Sequence, residues 1–241
     1  MFTGNGNWIR RIALACLVGG FSVNSAAVLM AFNDQATFQT AIGTNSSTTL
    51  DFDSVTAATP IVNGSQFQGV DFLFTDGVGT SFDGQVASGF DTTSGDNYLG
   101  FNDPNSSSFL SGDSIVMNLP QMVHAIGFFI IASPGDLLFS DDALLTIGSG
   151  SAMVNPTPNS VLADGGEIFF LGLVDTDGFT TAELSSACCG FFEFNVDDIQ
   201  FSTFAPPSAP SHVPEPATLS LFCLSLLFGL TRQKVCTNKR P

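Results

Sequence analysis

Residues 126–131 read IGFFII and residues 168–174 read IFFLGLV, and these two apolar runs are the clearest indication of the fold. Neither run contains a polar side chain, so a strand formed by either has no face suited to water. Each is therefore predicted to be a central strand of a packed sheet. In residues 115–119 and 70–74, large apolar side chains recur at every second position, which predicts strands with one buried face.

Short clusters of Gly, Asp, Asn and Ser separate the apolar runs, as at residues 76–77, 94–97 and 164–166. Such clusters favour tight turns between antiparallel strands. We therefore predict an all-β fold, an antiparallel β-sandwich of about ten strands.

One short helix is expected near the start of the body. Phe38 and Ile42 stand at helical spacing, Asn33 can cap the N-terminus, and Gly43 can supply a left-handed stop. The pattern predicts a structural helix over residues 34–42 that lies across an open end of the sandwich.

The charges are segregated along the chain. All six Lys and Arg residues lie in its two ends, whereas the body, residues 28–204, has none and contains 21 of the 22 acidic residues. This anionic field repels phosphate groups and anionic lipid, which disfavours nucleic-acid binding.

The N-terminal end has the pattern of a signal peptide. Arg10 and Arg11 precede an uncharged, mostly apolar run at residues 12–23, and small residues follow at 25–27. This order predicts a signal peptide over residues 1–27 that signal peptidase removes, so that the body is exported.

The C-terminal end has the pattern of a membrane sorting signal. A Pro-rich linker at 205–212 precedes the motif Val213-Pro214-Glu215-Pro216 and an uncharged run at 217–230, and a basic tail contains Arg232, Lys234, Lys239 and Arg240. As a helix, the uncharged run spans about 21 Å against about 30 Å of bilayer hydrocarbon, so we predict a short transmembrane helix. The basic tail stays on the cytoplasmic side.

These terminal features resemble those of PEP-CTERM proteins, with VPEPATLSL opening the apolar segment of residues 213–241 and a basic cluster closing it. The resemblance implies a Gram-negative producer of exopolysaccharide, in which the membrane protease exosortase recognises the tail and releases or transfers the body to the cell surface. In the body, LDFD at 50–53, YLG at 98–100 and FNVDDIQF at 194–201 resemble many PEP-CTERM bodies. More distantly, they resemble jelly-roll carbohydrate-binding modules, which implies a jelly-roll-like sandwich.

The strand predicted at residues 194–201 contains the strongest candidate for a binding site. If it is regular, Asp197 shares a face with Ile199 and Phe201 and is buried with no Lys or Arg to pair it. Such a carboxylate accepts backbone N–H bonds, becomes protonated or binds a metal. Alternatively, a β-bulge at Asp197-Asp198 turns Asp198 inward, or the acidic residues lie at strand ends in water.

The resemblance to jelly-roll modules implies a structural Ca²⁺ between an acidic residue near the first strand and an Asp on the last. Asp53 and Asp197 correspond to those positions, with backbone carbonyls completing the coordination shell. Such an ion would stabilise the fold and do no chemistry.

Carbohydrate binding is the main alternative function. The body has no Trp and one Tyr, which disfavours the usual stacking of aromatic rings on a sugar; Tyr98 is the one aromatic side chain predicted to be exposed for it. A catalytic function has less support. His124 enters an apolar strand, and Cys188 and Cys189 favour a vicinal or intermolecular disulfide over a nucleophile paired with His124.

Together these features predict an exported, non-enzymatic cell-surface or extracellular-matrix protein. It passes through an inner-membrane intermediate, where signal peptidase and exosortase process it, and is then delivered to the cell surface or released. Its acidic body is expected to gather divalent cations and, through them, to associate with acidic exopolysaccharide or biofilm.

Overall fold

The computed structural model of the chain describes residues 28–43, 47–103, 106–133, 136, 142–153, 155, 157–186 and 191–203. The predicted signal peptide, linker, sorting motif, apolar run and basic tail lie outside these residues, as do Cys188 and Cys189. Within the described residues, no helix is both long enough and apolar enough to cross a membrane.

The described residues form a mostly antiparallel β protein with one helix, α1 (Gln35–Ile42). Its fifteen strands are β1 (Leu29–Phe32), β2 (Ser47–Leu50), β3 (Pro60–Ile61), β4 (Ser65–Phe67), β5 (Val70–Thr75), β6 (Ser81–Phe82), β7 (Gly84–Ser88), β8 (Asn97–Phe101), β9 (Phe109–Leu110), β10 (Ser114–Ala132), β11 (Ala143–Ile147), β12 (Gly150–Met153), β13 (Ser160–Val161), β14 (Glu167–Ser186) and β15 (Glu193–Ser202). The number exceeds the prediction of about ten because strands of two residues have no alternation to detect.

Two long strands, β10 and β14, carry the apolar runs and pair with each other over most of their length. On its other side, β10 pairs with β15 through residues 125–132 and with β5 through residues 114–118. Likewise, β14 pairs with β1 and β13 near its start and with β11 near its end. The prediction that residues 126–131 and 168–174 form central strands is confirmed.

The main core lies on one face of these central strands. It contains Phe128 of β10 and Leu171 of β14 together with side chains of β5, β11 and β15. The alternating apolar positions in residues 115–119 and 70–74 are buried in it, which confirms both predicted patterns.

Helix α1 covers the opposite face of the central strands. Gly127 and Gly172 face each other in β10 and β14, and a Cβ atom added to either would approach the Phe38 ring to 3.1 Å and 2.9 Å, respectively. The ring is fully buried there and contacts Phe170. The prediction that the helix crosses an open end of the sandwich is therefore wrong, because paired glycines leave room for Phe38 on the sheet itself.

Asp34, and not Asn33, caps the N-terminus of α1. The Oδ1 atom of Asp34 accepts a hydrogen bond from the N–H of Thr37 at 2.8 Å, which satisfies a free donor of the first turn. The carbonyl of Asn33 instead accepts from Nδ2 of Asn159 at 2.9 Å. Gly43 ends the helix, so the position of the predicted stop is confirmed, but its φ of 73° and ψ of 173° differ from the left-handed helical conformation expected there.

Candidate functional site

The acidic pair Asp197-Asp198 lies at a β-bulge in β15. Phe129 of β10 pairs with Asp197, whereas Gly127 pairs with Gln200, so β15 has one extra residue between these pairs. Asp198 adopts a left-handed conformation with a φ of 50°. The bulge considered from the sequence is present, yet Asp197 remains the more buried carboxylate, with 1% of its surface exposed.

The bulge places Asp197 on the helix side of the sheet. Val196, Ile199 and Phe201 belong to the main core. Asp197 pairs with Phe129, whose ring packs against the apolar cluster under α1. The prediction that Asp197 shares a face with Ile199 and Phe201 is therefore wrong, because one extra residue shifts the alternation by one position.

Donors from the loop after β7 satisfy the carboxylate of Asp197. Its Oδ2 atom accepts from the N–H and the hydroxyl of Thr93 at 3.0 and 2.6 Å, and from the N–H of Ser94 at 3.4 Å. Its Oδ1 atom accepts from the N–H of Asp198 at 2.8 Å. Among the fates predicted for a buried carboxylate, the structure shows backbone hydrogen bonding.

Burial raises the pKa of Asp197 from 3.8 to about 6. Loss of solvation is the largest cause, the hydrogen bonds from Thr93 oppose it, and the charge of Asp198 adds to it. The body contains no Lys or Arg that could offset the burial of this charge. Asp197 therefore changes its charge under mildly acidic conditions.

Asp53 lies in the segment between β2 and β3 and contacts the other end of the same loop. Its Oδ1 atom accepts from the N–H groups of residues 96–97 at 2.6 and 2.8 Å. The Ser94 hydroxyl lies 3.5 Å from Asp53 Oδ2 and 2.8 Å from Asp198 Oδ1. Gly95 has a φ of 53°, and a Cβ atom there would overlap the Asp53 carboxylate. The acidic residues thus fix the conformation of one loop.

The contacts of Asp53 and Asp197 bear on the calcium ion that the resemblance places between them. N–H and hydroxyl donors point at both carboxylates, whereas Ca²⁺ requires six to eight oxygen ligands. In the part of the chain that the structure describes, no group of three or more His, Cys, Asp or Glu side chains is placed to hold a metal. Calcium at Asp53 and Asp197 stays a prediction.

Tyr98 is fully buried, so its predicted exposure is wrong. Its hydroxyl lies 3.0 Å from Ser107 Oγ, and burial raises its pKa. Strand β8 lies inside the sheet between β15 and β7, where Leu99 is buried together with Tyr98. The polar residues that precede the strand gave no sign of this burial. Tyr98 has no free face for a sugar ring.

His124 is half-buried and satisfied, as its strand position predicts. Its Nδ1 atom lies 3.0 Å from the carbonyl oxygen of Asp175. The Asp175 carboxylate accepts from the hydroxyl of Ser149 and from the N–H of Asp177. Ser149 thus contacts the side chain of Asp175, whereas His124 contacts its main chain. The prediction that the chain is not an enzyme stays a prediction.

A pocket of about 360 Å³ opens beside the bulge on the helix side of the sheet. Three adjacent central strands contribute Ile168, Phe129 and Asp198 to it. The remaining lining residues come from α1, the loop after β7 and the segment at β13; they are Gln35, Thr92, Thr93, Ser160 and Leu162. We call this cavity the bulge pocket.

Side-chain hydrogen bonds hold each wall of the bulge pocket. Asp91 and Asp164 bind each other reciprocally: the N–H of Asp91 donates to Asp164 Oδ2 at 3.2 Å, and the N–H of Asp164 donates to Asp91 Oδ2 at 2.9 Å. Asn159 joins the start of the helix to β14, since Nδ2 donates to Asn33 and Oδ1 accepts from the N–H of Phe170 at 2.6 Å. The pocket is therefore formed by fixed segments.

Sequence reasoning singled out the Asp197-Asp198 pair but missed the bulge pocket. Its walls come from residues 35, 92–93, 129, 160, 162, 168 and 198, and no local pattern reveals that such distant segments converge. No protein-family model, curated protein or solved structure matches this chain.

Proposed function

We propose that this chain is an exported, non-enzymatic cell-surface or extracellular-matrix protein that is sorted by a PEP-CTERM-like tail. The main support is the segregation of charge: all six Lys and Arg residues lie at the two ends, and residues 28–204 have none. The N-terminal signal directs the body out of the cytoplasm, and the basic tail holds the C-terminus inside. Both ends thus favour the same orientation.

Replacing Pro214, Glu215 and Pro216 together with Ala tests the sorting step. The apolar run and basic tail remain intact, so we expect the variant to be exported but retained unprocessed in the inner membrane. Replacement of the three linker prolines is the matched control and should leave processing unchanged. The sites of the control are Pro206, Pro207 and Pro210. Equal processing of both variants, measured by immunoblot of membrane and extracellular fractions, would contradict the proposal.

A jelly-roll-like β-sandwich is the architecture we propose for the body. Strand β10 pairs with β5 through its first half and with β15 through its second half, and β14 pairs with β1 and β13 near its start and with β11 near its end. Phe72 of β5 nevertheless shares one core with Val196 of β15. Two groups of strands around a common core are the arrangement of a sandwich. A crystal structure of the exported protein in which β5 and β15 lie in one open layer would contradict it.

The proposed partners are signal peptidase and exosortase during export, and acidic exopolysaccharide bridged by divalent cations afterwards. The body carries 21 acidic residues and no Lys or Arg, so it attracts divalent cations and repels nucleic acid. Thermal unfolding with calcium and then with a chelator tests cation binding. A rise in Tm with calcium that the chelator reverses and Asp53→Asn abolishes would support a calcium site at Asp53 and Asp197. An unchanged Tm would contradict the site.

The absence of catalysis is proposed on the basis of charge and contacts. An oxyanion or a transferring phosphoryl group needs positive or N–H donors, and the body supplies no Lys or Arg. His124 is already engaged with the Asp175 carbonyl. Hydrolysis of esters or glycosides by the purified chain, lost in His124→Ala, would contradict this proposal.

A further inference from the structure

We propose that the bulge pocket binds a sugar residue that carries no negative charge. This site is separate from Tyr98, whose ring is buried, and it does not depend on how the chain is sorted. The pocket combines hydrogen-bond acceptors, an aromatic ring and an excess of negative charge, and each of these properties restricts the ligand.

The polar groups of the pocket suit a ligand rich in hydroxyl groups. Asp198 Oδ2 lies 3.0 Å from the Thr93 hydroxyl, whose single proton it shares with Asp197, and Oδ1 accepts from the Ser94 hydroxyl at 2.8 Å, so each oxygen keeps acceptor capacity. Gln35 and Ser160 also line the pocket, and within the described residues their side chains make no hydrogen bond. A ligand can therefore donate to Asp198 and exchange hydrogen bonds with Gln35 and Ser160.

The apolar part of the pocket suits the C–H face of a sugar ring. Phe129 is half-buried, and its ring is held by an edge-to-face contact with Phe170 at a centroid distance of 5.3 Å. Leu162 and Ile168 lie beside it in the lining. An aromatic ring next to hydroxyl-binding groups is how a protein presents one apolar and one polar surface to the same ligand. The volume of about 360 Å³ accommodates a small ligand.

Charge excludes anionic ligands from this pocket. Asp198 lies in the lining, and Asp197 and Asp53 are linked to the same loop. No Lys or Arg occurs in residues 28–204 to neutralise a phosphate, a sulfate or a uronic acid. The ligand is therefore a neutral or amino sugar and not a uronic acid.

The pocket is organised before a ligand arrives. Asp197 accepts hydrogen bonds from Thr93 and so fixes that side of the pocket, and Asn159 holds the neighbouring Ser160 beside β14. The reciprocal hydrogen bonds of Asp91 and Asp164 join the loop after β7 to the segment after β13. Since these segments are already ordered, binding requires little further loss of conformational entropy.

Ligand-detected NMR and titration calorimetry on the full-length chain in detergent test the proposal. The probes are glucose, galactose, mannose, xylose and glucosamine, with glucuronic and galacturonic acid as anionic counterparts. We expect at least one neutral or amino sugar to bind and the uronic acids not to bind. Asp198→Asn should weaken binding about tenfold, the effect of losing a hydrogen bond to a charged group.

Matched variants locate the binding. Phe129→Leu should weaken it, whereas Phe90→Leu, which changes an exposed aromatic ring outside the pocket lining, should not. If Phe129→Leu does not fold, Ser160→Ala provides the test, because Ser160 is exposed, with the exposed Ser65→Ala as its control. The proposal is overturned if no neutral or amino sugar binds at about 10 mM. It is also overturned if uronic acids bind equally well, or if the pocket variants bind like the controls. None of these outcomes bears on export, which is measured separately.

Discussion

Asp197 is a buried carboxylate that four hydrogen bonds satisfy, and residues 28–204 contain no Lys or Arg that could neutralise it. Its pKa is about 6 in the folded chain, against an ordinary value of 3.8. Between these pH values the folded chain keeps a proton that the unfolded chain releases. The stabilising effect of this proton is therefore complete below about pH 4 and is lost as the pH rises through about 6.

We predict that this single group lowers the free energy of unfolding by about 3 kcal/mol as the pH rises across that window. Urea unfolding of wild type and Asp197→Asn at several pH values measures it, because the difference between the two chains cancels the other carboxylates. Asp96→Asn, an exposed carboxylate of the same loop, is the control and should follow wild type. Parallel curves for wild type and Asp197→Asn would show that the prediction is wrong.

The environment of single residues could be predicted from the sequence only in part. The burial of Asp197 followed from its apolar neighbours. The face of the sheet on which it lies did not, because the bulge depends on the pairing of β15 with β10. Tyr98 was misplaced for a related reason. Its polar neighbours suggested a surface turn, whereas β8 lies between two other strands.

The contact between α1 and the sheet depends on two glycines that face each other, Gly127 and Gly172. A Cβ atom on Gly172 would lie 2.9 Å from atoms of both Phe38 and Phe170. We predict that Gly172→Ala lowers the free energy of unfolding by about 1–3 kcal/mol, because the Phe38 ring must move. Chemical denaturation measures this loss.

Gly148→Ala is the matched control for that prediction. A Cβ atom at Gly148 meets nothing within 4 Å, so its effect should stay within about 0.5 kcal/mol. In a chain that already carries Phe38→Leu, the effect of Gly172→Ala should be smaller, because the two positions are in contact. An equal loss of unfolding free energy in Gly148→Ala and Gly172→Ala would show that the packing of α1 does not depend on the two facing glycines.

Among the secondary-structure elements, the central strands could be predicted from the sequence, but the position of α1 on the sheet could not. The runs at 126–131 and 168–174 identified the central strands because burial on both faces leaves no other place for them. The docking of α1 was not predictable, since a glycine inside an apolar run does not reveal which residue lies opposite it. The cap is Asp34 and not the predicted Asn33. Both residue types are good N-caps and the two positions are adjacent, so the sequence alone does not distinguish them.

For the whole molecule, the distribution of charge has the widest consequences. Residues 28–204 contain 21 acidic residues and no Lys or Arg, so hydrogen bonds to N–H and hydroxyl groups replace Lys and Arg ion pairs in the body. The cations are confined to the ends, where they flank apolar runs. This arrangement fits a chain whose body is sent outward while its terminal signals are removed or left behind.

The intact mass of the exported protein, from cells with and without the processing protease, tests this proposal most directly. We predict a product that begins near Val28 and ends near Val213, and that this product disappears when the protease is absent. An undivided chain of 241 residues, folded in the cytoplasm with both ends attached, would contradict it.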